Sequence, residues 1–206
     1  MQAEGAVQAE AMIDVAFDVA GGSVAPGYAP ALLAAIVDAL PWFAATPQAG
    51  VHPLRGSGAA YGELLLARRA KLVLRVPSAR ATECGALEGR SLAVGERVLE
   101  VGRAEARVLR PSATLHAQRV TSATPDGSGF EAEVAAALAA IGVASPFISG
   151  GPRREQAGTR TIHGYALSVH ELAAEASLRL QASGIGADRA LGWGIFVPAK
   201  TITTAG

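Results

Sequence analysis

Four side chains in this sequence can move a proton near neutral pH: His52, His116, His163 and His170. Imidazole suits either proton role in an acid–base reaction because its ordinary pKa lies near 6.5. His52 stands in GVHPLRG, where Pro53 restricts the backbone and Arg55 follows close enough to reach the same anion. On the residues alone, His52 reads first as a loop histidine capping a turn, with proton transfer as the alternative. His116 and His163 fall in strand-like stretches, where a packed or surface histidine is ordinary. His170 comes just before the last helical stretch and suits a cap or the surface. No pair has metal-ligand spacing, so no structural metal and no cofactor is expected. Cys84 is the single cysteine, in SARATECGALEG. Buried packing suits it better than nucleophilic work, and without a disulfide partner the protein is expected to be cytoplasmic.

The charges are unevenly spread although the formal net charge is zero. Residues 1–51 hold five acids and no Lys or Arg, whereas residues 52–80 hold six basic side chains and one acid. Arg68, Arg69 and Lys71 form the densest cluster. Such asymmetry reads equally as a polyanion site or as a solvated strand face. The other unusual stretch is GIGADRALGWGIFVPAK, in which Gly184, Gly186, Gly192 and Gly194 form two Gly-x-Gly pairs before an apolar run. Glycine permits sharp turns and close backbone approach, so a tight turn and a bulge ahead of a strand would already explain it.

The elements that must carry these residues follow from pattern. With 206 residues, half of them apolar and 17% charged, the chain can bury a sizeable core. The N-terminal stretch has no cationic-then-apolar signal, and ALLAAIVDAL is too short for a membrane span. MIDVAFDV alternates as a half-buried strand, and YAPALLAAIVDALPWF has the apolar density of a packed helix. ELLLARRAKLVLRVP reads as one long strand or as two sharing a bend at Arg68 and Arg69. PSARATECGALEG predicts a short helix, and SLAVGERVLEVG with RAEARVLR predicts further strands. From about Pro111 the order repeats: SATLHAQRVTSA as strand, FEAEVAAALAAIG as helix, then FISGGPRREQAGTRTIHGYALSV as two strands with Arg153 and Arg154 at the hairpin tip. ELAAEASLRLQASG is a helix and IFVPAK the last strand. The expected fold is α+β: two tandem ferredoxin-like βαββαβ domains, 1–110 and 111–206, packed without a linker.

With that order in place, Gly184-Ile185-Gly186, five residues, then Gly192-Trp193-Gly194 resembles the glycine-rich loop of the RAMP superfamily of CRISPR-associated proteins, which precedes the final strand of the second ferredoxin-like domain. GVHPLRG after the first helix, LLLARRAKLVLRVP, SATLHAQRV, GGPRRE, and SLRLQASGIG running into LGWGIFVPAK are similar to that superfamily's repeat-processing endoribonucleases. The resemblance spans about residues 12–200. It implies metal-independent cleavage of precursor crRNA, in which a ribose 2′-OH attacks its own 3′-phosphate and leaves a 2′,3′-cyclic phosphate.

What the resemblance implies for single residues is as follows. His52 becomes the proton-transfer residue, with Tyr28 and Arg55 beside it and Ser57 as a further candidate for a phosphate contact. RNA contacts fall on Arg68, Arg69, Lys71, Arg153, Arg154, Arg189 and Lys200, on Trp193 as a stacking surface, and on Gly184, Gly186, Gly192 and Gly194 through backbone N–H groups. Many relatives carry a histidine where this chain has Ala199, so a contact there is not expected. Implied partners are the CRISPR repeat stem-loop, retained as crRNA, and other subunits of an effector complex; no membrane is implied. Two competing functions are a catalytically silent crRNA-binding subunit, and a small-molecule or metal-binding protein on the same paired fold.

Overall fold

The computed structural model describes residues 11–60 and 62–199. Lys200 therefore lies outside the described residues. Among them, no helix is long and apolar enough to cross a membrane.

In the N-terminal half, β1 (Met12–Ala20) and β2 (Ser23–Val24) precede α1 (Ala29–Ala39). Pro30 opens this helix, where its fixed φ costs nothing, and Leu40 before Pro41 ends it. β3 (Gly50–Val51), β4 (Gly56–Ala60), β5 (Glu63–Leu66) and β6 (Lys71–Pro77) follow, then β7 (Ser91–Val94) and β8 (Arg97–Val108). The main sheet runs β3-β6-β1-β8-β7 and is antiparallel at every pair. With the edge strand β7 left out, the other four, counted in chain order, are placed 2-3-1-4, the split βαβ arrangement. A small sheet, β2-β5-β4, stands apart from it, and the sequence pattern did not reveal that sheet.

The expected helix over PSARATECGALEG is instead a pair of 3₁₀ segments, Ser78–Arg80 and Thr82–Leu87. Cys84 and Leu87, three residues apart, are both buried, and that spacing suits a three-residue turn better than an α-helix. Burial also pushes the Cys84 thiol up to about 11, which leaves it an inert core group.

The C-terminal half comprises β9 (Leu115–Thr121), α2 (Phe130–Ala140), β10 (Phe147–Ala157), β11 (Arg160–Val169), α3 (Ala174–Ser183) and β12 (Val197–Pro198). Its sheet order, β10-β11-β9-β12, is again 2-3-1-4. The hairpin turn lies at Gly158 and Thr159, so Arg153 and Arg154 are inside β10 and not at a tip.

Each half has its own apolar cluster. Val15, Phe17, Leu72 and Leu74 pack beneath Leu32 and Ile36 of α1. Leu115, Val120, Leu167 and Val169 pack against Phe130, Val134 and Leu180. Side chains alternate across a strand, so these buried rows leave a second row on the opposite face of each sheet. Those second rows meet between the halves.

Candidate active site

On the outer face of the first sheet, register alone builds a polar row. Asp14 of β1 is paired with Arg75 of β6 on one side and with Arg107 of β8 on the other. Two residues along, Ala16 lies between Val73 and Glu105, and Asp18 lies beside Lys71. Lys71 donates to Asp18 at 2.7 Å near the open end. From the facing sheet come His116 and Gln118 of β9 and Val197 of β12. Together with Asp14, His52, Arg55, Arg69, Lys71 and Arg107 they line a cleft of about 320 Å³ between the halves.

His52 directly follows β3. Its N–H donates to the Val73 carbonyl at 2.9 Å, which extends the β3–β6 pairing by one residue and aims the ring over β1. There Nε2 lies 3.2 Å from Asp14 Oδ1. Burial lowers the pKa of His52, and the charges of Arg75 and Arg189 lower it further against the pull of Asp14; the ring is neutral at pH 7. Burial alone would raise the Asp14 carboxyl, but hydrogen bonds from His52 and Arg75 outweigh it and hold the group well below the usual carboxylate range. Arg75 is 1% exposed. It grips Asp14 with Nε at 2.8 Å and Nη2 at 2.9 Å, while Nη1 donates to the carbonyls of Gln181 at 3.0 Å and Phe196 at 2.7 Å.

Arg55 and Arg69 are exposed at the cleft wall with Lys71 beside them, while Arg68 lies outside it. Tyr28 is not in the cleft. With no capping bond to α1 to make, its hydroxyl accepts the Leu54 N–H at 2.8 Å, and burial raises its pKa. It braces the loop that carries His52 from behind. Ser57 is exposed and turned to the Leu65 carbonyl at 3.5 Å. Arg153 reaches across β11 to the Gln118 carbonyl at 3.2 Å, on the face that bears His116. Arg154, opposite His163, occupies the other face, because neighbouring residues on a strand point opposite ways.

The glycine-rich stretch is turned inward. Gly184, Gly192 and Gly194 spend their N–H groups on the carbonyls of Leu180, Arg189 and Arg119, so those donors are not free for phosphate. Gly186 alone of the four is exposed. At Gly192 (φ 86°) a Cβ would come within 2.7 Å of Arg119 Nη2 and 3.1 Å of the Val51 carbonyl. The close approach that these glycines permit is to the protein itself. Trp193 is fully buried, donates Nε1 to Glu155 at 3.1 Å and lies under the Arg119 guanidinium; no ring face is open to a base. Arg189 is 7% exposed, donates to the Ala182 carbonyl at the end of α3, and is pushed down to about 10 by burial. It is a packing and capping residue, not a surface cation.

Sequence reasoning passes over Asp14, Arg75 and Arg107, and takes His116 for an ordinary strand histidine. A signal for the first two is present: Asp14 and Asp18 are four residues apart in one strand, and Lys71 and Arg75 four apart in another. Antiparallel pairing brings such sets together.

Comparison with known proteins bears on the family and the fold. The family model described as Cas6 Crispr matches residues 13–201. A "CRISPR-associated endonuclease Cas6" of Myxococcus xanthus (strain DK1622) is 33% identical over 187 residues, covering 90% of this chain and 81% of the relative. Among solved structures, "An RAMP protein binding different RNA substrates" superposes with TM-score 0.68 at 12% identity, covering 91% of this chain and all of the other. A Cas6-related protein from Pyrococcus furiosus gives TM-score 0.65 at 12% identity, covering 92% and 99%. At such identities the structures speak for the fold, while the family match and the Myxococcus relative speak for descent. The chain belongs to the Cas6 family of CRISPR-associated proteins.

Proposed function

We propose that this chain is a metal-independent endoribonuclease that binds the stem-loop of CRISPR repeat RNA and cuts precursor crRNA, with residues 1–110 and 111–206 as its two domains. One observation carries the reading: a neutral imidazole, His52, stands in the wall of a cleft whose exposed charged side chains are cations. In the step, the 2′-oxygen bonds to the adjacent phosphorus, its proton passes to His52, and the P–O5′ bond breaks. His116 on the opposite wall is the titratable group available to protonate the departing 5′-oxygen. Arg55, Lys71 and Arg107 supply charge where the phosphorane becomes crowded. The product stem-loop stays bound in the cytoplasm as part of an effector complex.

Single-turnover cleavage of the repeat RNA, with EDTA present, tests this. His52→Ala should lose about 10² to 10⁴ in rate, as expected for removal of a general base, with hairpin binding nearly unchanged. A mutant that cuts at the wild-type rate overturns the assignment. Wild-type protein that binds the hairpin and yields no product is instead a silent crRNA-binding subunit.

A further inference from the structure

The Asp14–Arg75 pair straddles the cleft wall: Asp14 lines the cleft, and Arg75 is shut away behind it. Arg75 is almost fully buried, and the Asp14 side chain is 18% exposed. Burying an ion pair is seldom worth its desolvation cost for stability alone. Three hydrogen bonds of this pair, however, bear on one imidazole. Asp14 Oδ1 is shared between Arg75 Nε and His52 Nε2, and Arg75 Nη2 occupies Oδ2. An ionised carboxylate only accepts hydrogen bonds, so the ring nitrogen facing it must be the donor. A neutral imidazole with its proton on Nε2 has a lone pair on Nδ1. Among the described residues that Nδ1 has no hydrogen-bond partner, and the ring that carries it lines the cleft.

We propose that Asp14 is the positioning residue of this cleft: gripped by Arg75, its carboxylate holds His52 in the Nε2–H tautomer and presents bare Nδ1 to the attacking 2′-hydroxyl. The inference rests on the reading of His52 as the base, and it deepens that reading by naming what fixes the base. It also makes Arg75 a link between halves. The guanidinium that orients Asp14 is itself oriented by the carbonyls of Gln181 and Phe196 in the other half. The ring is thus aligned only when the two halves are docked.

Every charged group around His52 bears on the outcome. Arg75 from β6 and Arg189 from the turn before β12 oppose protonation of the ring, and Asp14 from β1 favours it. Arg55, Arg69, Lys71 and Arg107 line the same cleft and add positive potential; the half-buried His116 also faces it, but burial and Arg153 lower its pKa and disfavour its charged form. Replacing Asp14 by Asn removes the one favourable charge and leaves Arg75 demanding the amide oxygen. That single oxygen cannot serve all three donors that the carboxylate satisfied, so the hold on the Nε2–H form weakens.

Long-range ¹H–¹⁵N spectra of the full chain, labelled on its four histidines, report the tautomer directly; the His52 signals are those that vanish in His52→Ala. Wild type should show the Nε2–H form, and Asp14→Asn a shift towards Nδ1–H. The pH–rate profile of repeat-RNA cleavage should change with it. In Asp14→Asn the plateau should fall at least about 10-fold and the acid limb should move to lower pH, with part of the rate restored by Asp14→Glu. If Asp14→Asn fails to fold around an unpaired guanidinium, the double variant Asp14→Asn/Arg75→Met removes that cation and keeps the tautomer as the deciding readout, since losing Arg75 offsets the movement of the acid limb. An unchanged tautomer with an unmoved acid limb overturns the proposal, even where the rate drops. Full-rate cleavage by His52→Ala would sink the catalytic reading instead, and the spectra would still decide what Asp14 does to the ring.

Discussion

Arg55, Arg69, Lys71 and Arg107 share a cleft wall, yet they are not equivalent cations. Lys71 is engaged by Asp18 and Arg107 by Glu105, whereas Arg55 and Arg69 are exposed. An RNA phosphate must compete with a carboxylate for Lys71 and Arg107, so their removal should cost less binding than removal of Arg55 or Arg69. Deleting a cation that truly pairs with a phosphate should flatten the slope of log K against log salt by about 0.7 to 0.9. Hairpin titrations of Arg55→Ala, Arg69→Ala and Lys71→Ala at several salt concentrations check this order. Arg154→Ala, on the opposite face of β10, should keep the wild-type slope if RNA lies along the cleft. Residue type makes the basic segment legible in the sequence, whereas the family resemblance, and not residue type, singles out His52. Depth is not legible, because a buried Arg189 and an exposed Arg69 are written with the same letter, and only tertiary packing separates them.

At the level of elements, the strand order of both halves is readable because alternation and helical density mark elements that pack on a single face. What escapes is local. Sequence pattern puts the turn of the β10–β11 hairpin at Gly150–Arg154, since glycine and proline there look like punctuation. The structure absorbs them as a bulge, a register shift between Ser149 and Pro152, and continues the strand. The glycine-rich stretch is legible as tight backbone but not as to what it approaches. That difference is measurable. Gly192→Val places a β-branched side chain at positive φ against Arg119 and the Val51 carbonyl, and Trp193→Ala empties a fully buried site. Trp193→Ala should cost about 3 to 5 kcal/mol, or a fall of roughly 6 to 20 °C in Tm for a chain of this size. Both variants should keep the wild-type salt slope while folded. A flattened slope with an unchanged Tm would return the stretch to the RNA surface.

For the molecule as a whole, the interface between the halves sets the response to acid. Burial holds the folded-state pKa of His52 below its ordinary 6.5, so as pH falls the unfolded chain takes up that proton before the folded one does. Its stabilising contribution is complete above about pH 6.5 and declines below it. Asp14 is held below the ordinary carboxylate range, and its contribution is complete above about pH 4 and disappears as pH falls further. Thermal melts should therefore show Tm declining from pH 7 to 5, with a steeper loss below pH 4. His52→Ala should flatten the first segment and also soften the second, because His52 supplies one of the two hydrogen bonds that hold Asp14 low. The same interface has a consequence in time. The Phe196 carbonyl that receives Arg75 lies 121 residues further along the chain. At about 5 to 20 residues per second, synthesis separates the two by roughly 6 to 24 seconds. From Val108 onward in that interval a nascent chain carries the complete N-terminal sheet and its histidine, but the anchor that squares Asp14 to the ring has yet to be made. On the proposed reading, the ribosome thus completes the cleft only as it reaches β12, and a chain stalled before Phe196 is left with His52 unaligned.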